Sequence, residues 1–290
     1  MPKILLFLVL LFGLGVKAQG CSDSGICQMG KEGVSKQTFH EVSYTPGLAK
    51  GEASVQYFTQ QFGYRFQSKN GWGLNTQIGY SQAHGDFGTR GQFSDAILLG
   101  HYKTTQWTWQ GGVKIPFSNG NLKINGYDLP MAYQPSLGTL DGLLSVNYQW
   151  RQWSFQTAAQ IPLQSTNRNA YFADGSGTTD FPTTNLFQRN PDGLFRLQYE
   201  VKWGKHTEWQ PALLSIYHFG NDSFQDRYGQ RQLINGSEGL TINAVLGGAY
   251  TMQHHQIRWV MATPLVVRDI RPDGLTRSWV VSLTYAYQIN

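Results

Sequence analysis

Large apolar side chains alternate with polar ones along many segments of the chain. In the closing segment, RSWVVSLTYAYQIN, every odd-numbered position from Trp279 to Ile289 is large and apolar, and most of the even-numbered positions are polar. Successive side chains of a β-strand point to opposite faces, so this pattern predicts a strand with one apolar face. After residue 36, no segment keeps apolar residues at helical spacing for more than a couple of turns. The chain is therefore predicted to be all-β.

Alternation bounded by Gly, Pro, Asn and Asp predicts twelve strands. They cover residues 36–46, 53–67, 72–83, 92–103, 106–117, 138–150, 152–164, 193–204, 206–218, 239–252, 256–267 and 276–289. Tight turns are predicted at 68–71, 104–105, 151, 205 and 253–255, and longer connections at 84–91, 118–137, 165–192, 219–238 and 268–275. Short and long connections alternate strictly. This rhythm is typical of outer-membrane barrels, which have short periplasmic turns and long external loops.

The apolar faces need something to pack against, and two arrangements satisfy them. In a sandwich they would meet a second sheet, whereas in a membrane barrel they would face hydrocarbon. The strands run to about twelve residues, the strand count is even, and aromatic residues lie near strand ends, all of which favour the barrel. We therefore predict that residues 36–290 form a transmembrane antiparallel β-barrel of the outer-membrane type with about 12 strands.

The two ends of the chain carry further signals. Residues 1–18 combine a Lys, an apolar run and a small-residue exit at Ala18, which is typical of a cleaved secretory signal peptide. The last strand, ending in Tyr285, Tyr287 and Ile289, resembles the recognition signal of outer-membrane barrels. The predicted location is the outer membrane of a Gram-negative bacterium, and the predicted partners are its lipid and lipopolysaccharide and the barrel-assembly machinery.

Residues 19–35 are predicted to be a periplasmic segment or a plug folded into the barrel. Cys21 and Cys27 most simply form a disulfide in an oxidising compartment. An alternative is a soft-metal site with Cys27, Met29 and His40, and another is a lipidated Cys21. We expect no cofactor and no metal.

Polar residues on the opposite strand faces define the predicted lumen. Its charged members, and the candidate transport residues, are Arg65, Asp95, Lys114, Asp141, Arg196, Glu200, Lys202 and Arg258. The simpler interpretation of each is a wall residue paired across the barrel or lying in water. The formal net charge of +5 is small and scattered, so nucleic acid is not expected as a partner. In the loop 118–137, Leu129, Met131, Ala132 and Tyr133 are candidates for first contact with an apolar ligand.

Residues 94–163 resemble the outer-membrane transporters grouped under the MetA pathway of phenol degradation, which are similar to FadL-type channels for hydrophobic compounds. The resemblance rests on SDAILLGHYK (94–103), GGVKIPFSNG (111–120) and PSLGTLDGLLSVNYQWRQWSFQTAAQIPL (135–163). SIYHFGND (215–222) and PLVVRDIRPDGLTRS (264–278) look like further blocks of such relatives. FadL-type barrels have fourteen strands and a larger hatch, so only Asp95, Lys114 and Asp141 are carried over, as motif positions.

The resemblance implies passive passage of small hydrophobic or aromatic compounds, in or out. The alternatives are a barrel-embedded hydrolase similar to outer-membrane phospholipase, and a structural barrel without transport. The hydrolase would need a histidine two residues before its serine, but Pro116 stands there relative to Ser118. We therefore expect a channel without enzymatic activity.

Overall fold

The predicted alternation forms a closed barrel. A computed structural model describes residues 38–274 and 277–289, so the predictions for residues 1–35, including the signal peptide and the Cys21–Cys27 disulfide, lie outside the described residues. The strands are β1 (Phe39–Gly51), β2 (Gln56–Gln67), β3 (Trp72–Gly85), β4 (Gly88–Lys103), β5 (Trp107–Pro116), β6 (Lys123–Ile124), β7 (Tyr127–Asp128), β8 (Thr139–Trp150), β9 (Trp153–Ser165), β10 (Asp192–Tyr199), β11 (Val201–Trp203), β12 (Thr207–His218), β13 (Ser223–Gln225), β14 (Arg231–Leu233), β15 (Gly239–Met252), β16 (His255–Val266) and β17 (Arg277–Ile289).

The wall consists of twelve antiparallel strands within these ranges, as predicted. Its order is β1, β2, β3, β4, β5, β8, β9, β10 with β11, β12, β15, β16 and β17, and β17 pairs with β1 to close the barrel. Strands β10 and β11 form one wall strand that is interrupted at Glu200. The small hairpins β6–β7 and β13–β14 lie within the long connections. No helix in 38–274 or 277–289 is long and apolar enough to cross a bilayer.

Strand register gives the wall an apolar outside. Where β17 meets β1, Tyr287 lies opposite Val42 on the outer face, while Ala286 lies opposite Ser43 on the inner face. Tyr285 is 48% exposed and Ala286 is 1% exposed, so adjacent residues of one strand have opposite environments. The outer face therefore presents a continuous apolar surface, as a hydrocarbon-facing barrel wall requires.

A row of outward aromatic rings marks the end of the barrel that carries the short turns. Trp72 contacts Tyr102, Tyr102 stacks on Trp109, and Trp107 contacts both Trp109 and Tyr148, with ring centroids 4.6–6.2 Å apart. All five lie at or near strand ends on β3, β4, β5 and β8. Such a girdle is typical of the membrane–water interface of a barrel.

The prediction of a long connection at 84–91 is wrong. Strand β3 continues to Gly85 and β4 begins at Gly88, which leaves only Asp86 and Phe87 between them. Gly88 has φ +102°, a left-handed conformation that permits the tight turn. Among the residues of β4 that pair with β5, Asp95 is nearest to the tip of the hairpin, and the hairpin extends beyond it. Because its tip lies beyond the wall, its strands need no apolar face, and the alternation that reveals the other strands is missing.

Candidate functional site in the barrel lumen

An apolar surface covers part of the inner wall. We call it the apolar arc; it comprises Ile97, Leu99, Leu143, Leu194, Ala212, Leu214 and Val245, flanked by Ala158, Ile216, Val260 and Ala262. Strand β12 illustrates its origin, because the run ALLSI places Leu213 outside, 47% exposed, and Leu214 inside, 4% exposed. An inner wall of this kind differs from the polar lumen of a water-filled porin.

The opposite part of the inner wall is small and polar. Strands β17, β1 and β2 direct Ser282, Thr284, Ser43, Thr45, Gly47, Thr59 and Gln61 inwards. Thr45 and Thr284 share a hydrogen bond of 2.8 Å between their hydroxyl oxygens. The lumen therefore has one apolar side and one polar side, an arrangement that suits a molecule with both kinds of surface.

Most of the charged residues predicted to face the lumen lie on its wall, and several are paired. Lys114 Nζ lies 2.7 Å from Asp141 Oδ2, and Gln160 donates to the same oxygen at 2.5 Å. Both charged side chains are at most 1% exposed. Asp95 accepts a hydrogen bond of 2.6 Å from the hydroxyl of Ser136. Lys114 and Asp141 thus join β5 to β8, and Asp95 joins β4 to the loop that follows β5.

Two further predicted residues lie towards the short-turn end. Arg258 donates to Glu41 Oε1 at 2.7 Å, and Arg65 is the direct cross-strand neighbour of Glu41. The guanidinium of Arg65 lies 5.0 Å from the ring centre of Phe39. The carboxylate of Glu41 thus has one arginine bound to it and another beside it.

Three predicted residues lie on the wall strand formed by β10 and β11. At its short-turn end, Lys202 lies 3.6 Å from Glu200 and its side chain is 77% exposed, so this pair belongs to the rim. Arg196 is only 8% exposed, and neither a hydrogen bond nor an ion pair to it occurs within 38–274 and 277–289. A role in transport for any of the eight residues remains a prediction.

The long connections fold together at the other end of the barrel. Their apolar residues form what we call the loop core: Leu129, Met131, Tyr133, Leu137, Tyr171, Phe181, Phe187 and Ile234. Part of the loop core packs on Tyr57 of the wall and on Val55, which directly precedes β2. The hydroxyl of Tyr57 donates to the backbone oxygen of Ala132 at 2.9 Å. Leu129, Met131 and Tyr133 are each 1% exposed. The expectation that they make first contact with a ligand is therefore wrong for this arrangement of the loops.

Two asparagines connect the loop after β5 to the loop after β9. Asn167 donates to the backbone oxygen of Leu137 at 2.9 Å, and Asn169 donates to those of Gly120 and Leu129 at 2.8 Å each. Asn169 is fully buried, so each of these bonds satisfies a carbonyl that water cannot reach. The loops therefore have a defined structure of their own.

A buried cluster of six charged residues joins the remaining loops to the wall. We call it the ionic latch: Arg189, Asp192, His218, Asp222, Arg268 and Asp273. At its centre, the Nδ1 of His218 lies 2.6 Å from Asp192 Oδ1, and its Nε2 lies 2.8 Å from Asp222 Oδ1. Ionised carboxylates only accept hydrogen bonds, so these two contacts fit an imidazole with a proton on each ring nitrogen and a positive charge. The latch then contains three positive and three negative groups.

Two arginines complete the latch. Arg268 donates to Asp273 at 2.5 Å and to the backbone oxygen of Ser237 at 2.6 Å. Arg189 binds Asp192 and lies 3.6 Å from Asp273. Burial alone would raise the pKa of Asp273, but the guanidiniums of Arg268 and Arg189 outweigh burial and hold it well below its ordinary value. The Asp273 carboxylate therefore stays ionised inside the protein.

The depressed pKa of Asp273 has a consequence for pH dependence. An unfolded Asp has a pKa of about 3.9, so the stabilisation by Asp273 is fully present above that pH and is lost as the pH falls through the lower folded value. We expect amides of the loop 219–238 to keep their protection from hydrogen exchange from pH 7 to about pH 4, after correction for the intrinsic exchange rate, and to lose it only in stronger acid. Asp273→Asn should lack this plateau; equal profiles for the two proteins would contradict the role given to Asp273.

Comparisons with known proteins agree on the architecture. No family model matches the chain, and no curated protein matches it in sequence. A crystal structure of an outer membrane channel from Pseudomonas putida F1 superposes with a TM-score of 0.59 at 11% identity, covering 92% of this chain and 100% of that one. The fold is that of an outer-membrane barrel. The NanC porin (TM-score 0.48, 9% identity, 86% of this chain and 100% of that one) and the CymD monoaromatic hydrocarbon channel (0.45, 8%, 96% and 95%) also match.

Proposed function

We propose that this protein is a channel of the Gram-negative outer membrane for passive passage of small hydrophobic or aromatic compounds. The apolar arc is the observation that carries this proposal. A lumen that served only water and ions would not need aliphatic side chains such as those of Leu143 and Leu194 on its inner face. Ligand sites in proteins are mostly apolar with a few placed polar groups, and the apolar arc with the polar residues at its edge offers such a surface.

The polar side of the lumen supports the same proposal. A solute leaving water must replace some of its hydrogen bonds, and the hydroxyls of Thr45, Thr59 and Thr284 offer replacements. Conduction requires binding that is favourable enough for entry and weak enough for exit. An aromatic molecule can slide with its ring on the apolar arc while its polar substituent exchanges between hydroxyls.

The membrane location rests on the outer face and on the ends of the chain. Outward aromatic rings such as Trp72 and Trp107 lie where lipid headgroups would begin, and outward aliphatic residues such as Leu283 lie between the two interfaces. The predicted signal peptide and the aromatic C-terminal strand fit export followed by insertion through the barrel-assembly machinery. Lipid and lipopolysaccharide are then the surrounding partners. The resemblance to MetA-type and FadL-type channels favours the same class of compound.

Uptake by intact cells tests the proposal, because lipopolysaccharide slows the entry of apolar solutes. We expect cells producing the protein to take up radiolabelled toluene faster than cells without it. Leu214→Asn should reduce this gain about fivefold or more, because it places an unpaired amide in the apolar arc. The matched control is Leu213→Ala, which changes the neighbouring outward residue and should leave uptake unchanged.

Equal uptake with and without the protein would contradict a channel for apolar compounds. The hydrolase alternative has its own test, since hydrolysis of fluorescent esters or phospholipid that is lost in Ser118→Ala would support an enzyme. The structure gives that serine a local role: its hydroxyl accepts a hydrogen bond of 3.2 Å from the backbone of Gly120. His218 has both ring nitrogens donating to carboxylates, so neither can accept a proton from a nucleophile.

A further inference from the structure

Within residues 38–274 and 277–289, Arg196 is a buried cation without a hydrogen-bond or ion-pair partner, and it lies at the edge of the apolar arc. Its side chain points into the lumen from the middle of β10. The preceding residue, Phe195, points outwards and is 45% exposed. The Nε of Arg196 is enclosed and lacks a hydrogen-bond acceptor. Burying a charged group without an acceptor is costly, and such positions in proteins are normally paired. The location of Arg196 therefore needs an explanation other than stability.

The nearest carboxylates on the same strand already have cations of their own. Asp192, four residues towards the long-loop end, is bound by Arg189 and His218. Glu200, four residues towards the short-turn end, faces Lys202. Neither carboxylate forms an ion pair with Arg196 in the described part of the chain. Among the described residues, the guanidinium is thus a positive charge of the lumen wall that no carboxylate neutralises.

A second unpaired donor lies directly beside Arg196. Gln156 of β9 is its cross-strand neighbour, is 2% exposed, and has an enclosed Nε2 without a hydrogen-bond partner within 38–274 and 277–289. The β-carbons of such neighbours lie about 4.5–5.5 Å apart, so one small group can reach both side chains. Both offer N–H donors, and a carboxylate, which only accepts, is the complementary group.

On β12 and towards the long-loop end of β10, the neighbours of Arg196 are apolar. Leu214 lies opposite it on β12, and Leu194 lies two residues away on the same inner face. Both belong to the cluster that also contains Ala212 and Val245. A ligand whose negative group reached Arg196 and Gln156 would place its remaining atoms on this surface.

We propose that Arg196 and Gln156 form a binding site in the lumen for an amphipathic monocarboxylate, an organic acid with an aromatic or aliphatic body. This inference rests on the proposed channel and names its cargo more closely. The carboxylate would take hydrogen bonds from the guanidinium and the amide, while its body lies against Leu194 and Leu214. Passage would proceed from this site along the apolar arc.

Calorimetric titration of the purified full-length protein in detergent tests this site without requiring transport. The probes are benzoate, benzyl alcohol, which keeps the ring but not the charge, and acetate, which keeps the charge but not the ring. We expect benzoate to bind about tenfold or more tightly than either of the others, because a hydrogen bond to a charged group adds to the contact of the ring. Equal affinities for benzoate and benzyl alcohol would overturn the proposal.

Variants locate the site. Arg196→Met should abolish the preference for benzoate over benzyl alcohol, Arg196→Lys should keep part of it, and Gln156→Leu should weaken benzoate binding about threefold without affecting benzyl alcohol. The control is Arg90→Met, an exposed arginine in the β3–β4 hairpin beyond the wall, which should leave the preference unchanged. If Arg196→Met does not fold, Arg196→Lys and Gln156→Leu test the site in its place. A preference that survives in Gln156→Leu and Arg196→Lys at full strength would overturn the site.

The outcome separates this inference from the proposed function. Toluene uptake without a preference for benzoate would leave the channel standing and remove the carboxylate site. Benzoate binding that depends on Arg196, without toluene uptake by cells, would keep the site and contradict passage of apolar compounds.

Discussion

Arg268→Met should release the loops from the long-loop end of the barrel. The substitution removes the guanidinium that binds Asp273 and lies 4.0 Å from Asp222. The negative charges of these two buried carboxylates are then no longer fully balanced by nearby positive charges. Removing one partner of a buried ion pair costs about 3–5 kcal/mol. The wall strands keep their pairing, so we expect the loss to appear as local opening of the loops rather than unfolding of the barrel.

Hydrogen exchange followed by mass spectrometry measures this opening. The backbone amide of Asp222 donates to the hydroxyl of Ser237, and the amide of Ile234 donates to the backbone oxygen of Asp222. Both amides should lose protection by about a hundredfold or more, since about 3 kcal/mol corresponds to roughly that factor. The matched control is Arg227→Met in the same loop, because Arg227 is exposed and donates only a 3.3 Å bond to the backbone of Asp174. Equal protection in wild type and Arg268→Met would show that the latch does not hold the loops.

Leu283→Arg should destabilise the barrel much more than Ser282→Arg. Leu283 lies at the middle of β17 on the outer face, where a charged side chain at the bilayer midplane costs about 2–4 kcal/mol. Ser282 lies on the inner face opposite Gly47, where an added charge meets the polar side of the lumen. The free energy of unfolding in urea, measured from lipid vesicles, compares the two. A larger loss for Ser282→Arg would place the apolar face against protein instead of lipid.

The sequence was sufficient to predict the wall because each wall strand repeats the same local pattern. In β17, Trp279, Val281 and Leu283 show the outer face without knowledge of any partner strand. The same alternation correctly gave twelve strands and an inward orientation for Lys114 and Asp141. Their ion pair could not be predicted, because it depends on the register of β5 against β8, which the loop 117–138 separates in the sequence.

The ionic latch was missed because its members come from distant segments. His218 and Asp222 lie in SIYHFGND, and Arg268 and Asp273 lie in PLVVRDIRPDG, two blocks noted only as a resemblance. A signal was present in both blocks, because each has a charged residue at or just after the end of an apolar strand and an Asp shortly afterwards. His218 precedes Asp222 by four residues, and Arg268 precedes Asp273 by five. Spacing alone does not say that the two blocks meet in space, which requires the closed order of β12, β15 and β16.

A channel inside the barrel requires that the apolar face of the wall touches lipid. Spin labelling measures directly which face of β17 does so. Single cysteines at positions 280 to 285, introduced after Cys21→Ser and Cys27→Ser, would each carry a nitroxide in lipid vesicles. We expect high accessibility to oxygen at positions 281, 283 and 285 and low accessibility at positions 280, 282 and 284, a period of two along β17. Uniform accessibility along these six positions, or high oxygen accessibility at the even ones, would contradict a barrel with hydrocarbon outside and a passage within.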